Sequence, residues 1–378
     1  MQALIMPLNE LAEFEELCKR RMKERGMMRI CGCVNSQKTH MMYALSGGIR
    51  YKVVACSSES KAKQVFEEYR FLDPRTYLYP AKDLLFYQAD LRSKELTRQR
   101  MEVIQAVTEG EPLTVVTSFD AFMDSLLPKE EIEGRILRIK GDSVLHLEDM
   151  QDRLTQLGYD REVQIEGPGQ FAVRGGILDV YPLTEEQPVR IELWGDEVDS
   201  IRTFDVETQR SIENLREIEI CPAVEFPKEG ERSVSFLDYF PAEDSILFLD
   251  EPTSGLDPTT AVEIHKMLLD LKEEGMAIFL TTHNMEEATK LCDNVALLYQ
   301  GEIVEFGSPQ ELCLKYNQDK RYQILLDDRK EIILEQTPEN IRKIAEWMEK
   351  DQVQCIHSCE PTLESVFLQV TGKTLNAW

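Results

Sequence analysis

The 378-residue chain is 42% hydrophobic and 30% charged, which excludes a disordered, fibrous or membrane-embedded polypeptide and suits two or three domains rather than one. Its 69 acidic residues against 43 basic ones leave a net charge of −26, and residues 1–240 and 241–378 are each net acidic. Neither part carries the field that draws a protein to phosphate backbones, so direct nucleic-acid binding by the chain alone is not expected.

The chain opens with a helix expected over 8–25 and a strand over 28–34, followed by a helix near 39–45 that stops at Gly47-Gly48. A strand at 51–56, a helix at 60–71, an irregular Tyr-rich stretch at 77–87, a helix at 93–108 and a strand at 113–117 continue the alternation that makes a parallel α/β sheet. From about 131 the pattern shortens to alternating strands within 135–139, 170–181, 189–194 and 200–205, with Gly-rich turns at 175–176 and 195–196. A further α/β block starts with the apolar run 245–249 and continues through a helix at 259–274, a strand at 276–281, a helix at 284–292 and a hairpin across 295–306. The tail, 318–378, reads as two strands, a helix at 338–350, a strand and a helix at 362–371.

No run approaches the ~20 apolar residues that span a bilayer. The opening MQALIMPLNE has no basic leader, and nine cysteines without a secretory signal fit buried thiols in a reducing compartment, so the chain reads as cytoplasmic. Cys355, His357 and Cys359 have the look of a metal site, but no second ligand pair stands at zinc spacing, and alternation along a strand accounts for them.

Residues 32–39, Gly-Cys-Val-Asn-Ser-Gln-Lys-Thr, stand where a phosphate loop belongs, between a strand and a helix. Gly32, Lys38 and Thr39 are in place, but Gln37 replaces the second glycine, and its side chain obstructs the close backbone approach that a phosphate cradle needs. The loop reads as degenerate. Gly372-Lys373-Thr374 lacks both an upstream glycine and a following helix, and Leu45-Ser46-Gly47-Gly48 reads as an ordinary helix end.

Three longer motifs are more specific: GPGQFAVRGGILDVYP (167–182), VRIELWGDEVDSIRTFDVETQRS (189–211) and LDYFP (237–241). Through them residues 1–245 resemble the amino-terminal region of the bacterial transcription-repair coupling factors (Mfd), the part homologous to the excision-repair protein UvrB. The resemblance implies a module that does not hydrolyse ATP and an inserted β domain that binds UvrA, with Arg174 and Arg190 at positions the family uses against that partner. Alternation along 189–194 sends Val189, Ile191 and Leu193 to one face and Arg190, Glu192 and Trp194 to the other, a strip with the composition of a binding hot spot. An ordinary solvated face, with Trp194 packed under a loop, is the alternative.

Residues 246–378 are similar to a different family, the ATP-binding subunits of ABC transporters. Ile246–Pro252 resembles a Walker B strand, Ser254–Asp257 a D-loop and Thr281-Thr282-His283 the switch histidine. The resemblance implies Asp250 for Mg²⁺, Glu251 to polarise the attacking water, His283 for the γ-phosphate and Asp257 in the D-loop. The Walker A, Q-loop and signature helix that should precede them are missing, so no productive nucleotide binding and no appreciable ATPase activity are expected. A hybrid Mg-ATP site built from Lys38, Thr39, Asp250 and Glu251, with the strand before Gly32 beside 245–249, is one enzymatic alternative and an ATP-binding subunit of an ABC exporter is another; a membrane transporter subunit would be a partner only under that alternative.

The expected fold is α/β: a degenerate P-loop-like parallel-sheet domain (1–128, returning at 216–245) with an inserted β-rich, UvrA-interacting domain (129–215), then a partial ABC-type lobe (246–317) and an accessory tail (318–378). Both resemblances claim Ser245–Pro252, and the chain reads as a fusion at that stretch whose sheet edges, cut from their parents, are left uncovered.

Overall fold

The computed structural model describes residues 14, 27–31, 35–81, 90–224, 230–282, 284–300, 302–317, 320–327 and 329–372. The helix expected over 8–25, apart from residue 14, lies outside them, as do phosphate-loop residues 32–34, His283, and Lys373 and Thr374. The chain divides into two compact units, Met1–Leu45 with Phe248–Trp378, and Ser46–Leu247. Mixed α/β architecture with parallel strands and a separate β-rich sheet agrees with the expected class.

In the Ser46–Leu247 unit, strands Tyr51–Cys56, Leu113–Ser118 and Thr76–Tyr79 run parallel, with Leu113–Ser118 in the middle and Val54 opposite Val116. Leu113–Ser118 is buried at every position, as befits a parallel strand covered on both faces. Helix Glu59–Arg70 starts where the Ser58 hydroxyl accepts the Lys61 N–H, and Glu59 sits in its positively polarised first turn. Residues 77–87, expected to be irregular, begin inside strand Thr76–Tyr79. Tyr79 earns that place by burial, stacking on Phe236 with ring centroids 4.3 Å apart.

The β-rich part of this unit is a six-stranded sheet in the order Ser211–Leu215, Glu197–Phe204, Val189–Trp194, Ile177–Tyr181, Gln170–Arg174, Asp160–Arg161. One face is core: Phe171, Leu178, Val180, Val189 and Ile191 pack with Met150 and Leu154 of helix Leu147–Gln156. Glycine is needed at the first hairpin. Gly175 has φ +60°, and a Cβ on Gly176 would come within 3.0 Å of the Leu193 carbonyl oxygen.

In the other unit, the strand order is Glu302–Gly307, Asn294–Tyr299, Met27–Cys31, Ala277–Thr281 and then the end of Ser245–Asp250. Met27–Cys31 is parallel to both neighbours, Met28 facing Phe279 on one side and Asn294 on the other. The hybrid-site reading expects this strand beside 245–249; instead Ala277–Thr281 separates them. Residues 1–45 therefore group with the carboxyl-terminal part, where the sequence reading runs 1–128 as one domain. Helix Pro258–Glu273 is capped by Asp257, and helix Leu363–Thr371 packs on Pro309–Lys315 and Met285–Leu291. The tail forms a three-stranded antiparallel sheet, Glu331–Glu335, Arg321–Leu326, Val353–Ser358, so Cys355 and His357 are alternate residues of one strand. Among the described residues no helix is long and apolar enough to cross a membrane.

Candidate functional site

The face of the six-stranded sheet opposite the core carries a charged network centred on Asp179. This carboxylate lies in the middle of strand Ile177–Tyr181 and is 1% exposed. Register sets its partners: Arg190 is directly opposite on one neighbouring strand and Ala172 on the other, which brings Arg174, two residues on from Ala172, within diagonal reach. Arg190 Nε donates to Asp179 Oδ1 at 2.7 Å and Arg190 Nη2 to Oδ2 at 2.9 Å, a two-bond fork. Arg174 Nη2 adds a third bond, to Oδ2 at 2.8 Å. A buried carboxylate is tolerable only with such compensation.

Arg190 is fixed from two more sides. Its Nη2 also donates to Gln209 Oε1 at 2.8 Å, and its guanidinium lies over the Phe204 ring, 4.3 Å from the centroid. The hydrogen bonds to Asp179 hold the Arg190 guanidinium above its already high ordinary pKa. Gln209 belongs to the turn after strand Glu197–Phe204, where Asp205 Oδ1 accepts the Thr208 N–H and hydroxyl, and those bonds hold the Asp205 carboxyl below the usual range. Beside the network, Glu192 pairs with Arg202 and accepts the Ser200 hydroxyl.

These positions correct the alternation reading in one respect. Arg190 and Glu192 do share the face away from the core, but Arg190 is not a solvated side chain: 15% of its side chain is exposed, because Asp179, Gln209 and Phe204 enclose it. Arg174 is the open member, at 46%. Trp194 is 84% exposed and not packed under a loop. It follows a register shift between Glu192 and Leu193, at the turn to strand Glu197–Phe204. Sequence reasoning missed Asp179, Phe204 and Gln209. The available signal was a carboxylate inside the otherwise apolar strand ILDVY, which needs a cation within reach.

The second cluster lies in the unit made of residues 1–45 and 248–378. Lys38, on helix Asn35–Leu45, donates to Asp250 Oδ1 at 2.8 Å, and the Thr281 hydroxyl donates to the same oxygen at 2.6 Å. Asp250 is buried at the end of its strand, and Thr39 is also buried. Glu251 follows in a left-handed conformation, φ +55°, with its N–H on the Thr281 carbonyl at 2.8 Å. Lys38, Asp250 and Thr281 are thus brought together. Asp257 caps helix Pro258–Glu273 by accepting the Thr259 and Thr260 N–H groups at 3.0 and 3.2 Å. The Thr260 hydroxyl bond, with those backbone bonds, holds its carboxyl below the usual range. The sequence places Thr281 in the switch-histidine motif, but its hydroxyl's bond to Asp250 is legible only in the structure.

Residues 137–226 match the family model of the UvrB interaction domain. They contain the Asp179 network entire. Among curated proteins, the transcription-repair-coupling factor of Bacillus subtilis (strain 168) is 40% identical over 169 residues, covering 44% of this chain and 14% of that protein. The transcription-repair-coupling factor of Staphylococcus aureus (strain USA300) is 31% identical over 243 residues, 63% of this chain and 19% of that protein. The chain thus aligns with less than a fifth of the length of these relatives. A solved structure of an ATP-binding subunit of an ABC transporter is 27% identical over 19% of this chain and 30% of that one; its TM-score of 0.18 carries no argument about fold.

Proposed function

We propose that the Ser46–Leu247 unit is a cytoplasmic docking module that binds UvrA in nucleotide excision repair, as a region of a transcription-repair coupling factor. One observation carries the reading: two arginines converge on one buried carboxylate in a sheet that matches the UvrB interaction domain, with an exposed tryptophan on the next turn. Arg and Trp supply directed donors and large desolvable area, the composition of interface hot spots. Capture of purified UvrA by the full chain should weaken at least about tenfold in Arg190→Ala and in Arg174→Ala, a loss of roughly 1.4 kcal/mol or more. Equal capture by wild type and both variants removes the assignment.

The ABC-like part is read as hydrolytically silent. The Lys38 ammonium, which in a working phosphate loop holds phosphate oxygens, is bonded to Asp250, and Gln37 stands where the loop needs glycine. A second reading draws on the same contact: Lys38 beside Asp250 is the juxtaposition a Mg-ATP site requires, with Thr39 following, Glu251 as base and His283 toward the γ-phosphate. Magnesium-dependent phosphate release that disappears in Glu251→Gln would establish that reading. The joint at Ser245–Pro252 is proposed to be a fusion of two genes; a single fragment amplified across codons 230–270 from source DNA tests it, and failure to obtain one refutes it.

A further inference from the structure

We propose that Asp179 and Gln209 are positioning residues of the docking face, holding the Arg190 guanidinium in one orientation before the partner arrives. The inference rests on the docking reading above and adds to it the residues that make the arginine effective.

Four observations converge. Asp179 is buried, and among the described residues its oxygens accept hydrogen bonds only from Arg174 and Arg190. Arg190 commits Nε and Nη2 to this inner scaffold, and its Nη1 makes no hydrogen bond among the described residues. The Phe204 ring blocks one face of the guanidinium plane. Gln209 adopts φ +60°, which a glutamine pays for in strain, and that conformation accompanies the contact of its carboxamide with Arg190. Its Nε2 donates to the Val206 carbonyl at 2.8 Å, which fixes the amide so that Oε1 faces the guanidinium.

The physical consequence concerns binding rather than folding. A free arginine must surrender rotamer freedom when it meets a partner, and one already clamped has surrendered it during folding. Among the described residues, Nη1 of Arg190 and the second half of the Arg174 guanidinium are left for a partner's acceptors. Arg174, clamped by a single bond and half-exposed, is the arm that can readjust.

The test measures the affinity of purified UvrA for the full chain and its Asp179→Asn, Gln209→Gly, Arg174→Ala, Arg190→Ala and Asp179→Asn/Arg190→Ala variants, each with its thermal unfolding. Asp179→Asn keeps the shape but breaks the charged fork, and binding should fall about ten- to a hundredfold. Gln209→Gly removes the carboxamide while tolerating positive φ, so it should melt no lower than wild type yet bind several-fold more weakly; a merely structural role would leave affinity untouched. Asp179→Asn should cost less affinity in the Arg190→Ala background than in wild type, because Asp179 acts through two bonds to that arginine and one to Arg174. If Asp179→Asn and Gln209→Gly bind within twofold of wild type while Arg190→Ala is weakened, the positioning role is refuted and docking stands. If Arg190→Ala and Arg174→Ala also bind like wild type, docking itself fails, and the positioning role with it.

Discussion

Replacing Lys38 by methionine separates the structural use of this residue from a nucleotide-binding one. The Lys38 side chain is 16% exposed and that of Asp250 2%, at a separation of 2.8 Å, so the variant removes the Lys38 ammonium from beside a desolvated carboxylate. Breaking a buried pair from one side costs about 3–5 kcal/mol. The Thr281 hydroxyl at 2.6 Å persists, which puts the expected loss at the lower end, about 3 kcal/mol. For a unit of this size that lowers the midpoint of thermal unfolding by roughly 6–12 °C. Lys38→Met/Asp250→Leu, which removes both charges, should recover most of the loss, because an apolar pair of similar volume needs no desolvation offset. Differential scanning calorimetry with and without Mg-ATP is the assay. A ligand at a hundred times its Kd would add about 2.7 kcal/mol to the wild type, and none is expected here. Two results refute the reasoning: Lys38→Met melting within a degree of wild type, or a Mg-ATP stabilisation that Lys38→Met abolishes.

Asp73 provides an acid-side signature. Burial pushes its carboxyl up, but the Lys52 ammonium at 3.1 Å, with hydrogen bonds from Arg75 N–H and the Thr114 hydroxyl, outweighs burial and leaves it below the usual range. A folded pKa depressed below the unfolded value gives stability that is complete above about pH 4 and is lost as pH falls through the folded value; Asp73→Asn should flatten the acid limb of a plot of unfolding midpoint against pH. Arg100, 2% exposed, donates to the Pro80 carbonyl at 2.7 Å, packs over the Tyr79 ring and faces Asp124 at 2.8 Å. Arg100→Met should cost about 3–5 kcal/mol in urea unfolding. Burial pushes the Cys221 thiol up to about 12, so native protein at pH 8 should leave this residue unalkylated by iodoacetamide while unfolded protein reacts fully, read by peptide mass spectrometry.

Much of the architecture is legible because periodicity and turn chemistry are local. Strands Tyr51–Cys56 and Val189–Trp194 fall where the apolar runs place them, and the Gly175-Gly176 hairpin follows from two glycines between alternating segments. The first two residues of the docking network, Arg174 and Arg190, came from motif resemblance. Asp179 and Gln209 did not, because their roles depend on which strands are neighbours. Asp179 meets Arg190 across 11 positions and Gln209 meets it across 19, through a register that no single segment encodes. Tyr77 and Tyr79, at the start of the stretch 77–87 that the sequence marks as irregular, join a strand for the same reason: polar-tipped aromatics look like surface until Phe236 is brought to stack on Tyr79.

Strand Met27–Cys31 shows what decides membership of a sheet. It comes from the part of the chain that resembles coupling factors, yet it lies between Ala277–Thr281 and Asn294–Tyr299, from the part that resembles ABC subunits, in parallel register with both. A parallel strand is selected by apolar side chains on both faces and an unbroken row of backbone donors and acceptors, properties that any P-loop-like strand shares. At this position the expectation of an uncovered edge is therefore not met: each side of Met27–Cys31 has a hydrogen-bonded neighbour, and Met27 and Met28 are buried. The same pairing explains why Lys38 reaches Asp250 at all. The strand positions the helix that follows it, Asn35–Leu45, and that helix carries the lysine to a carboxylate 212 residues away in sequence. Proximity of Lys38 to Asp250 thus arises from sheet completion.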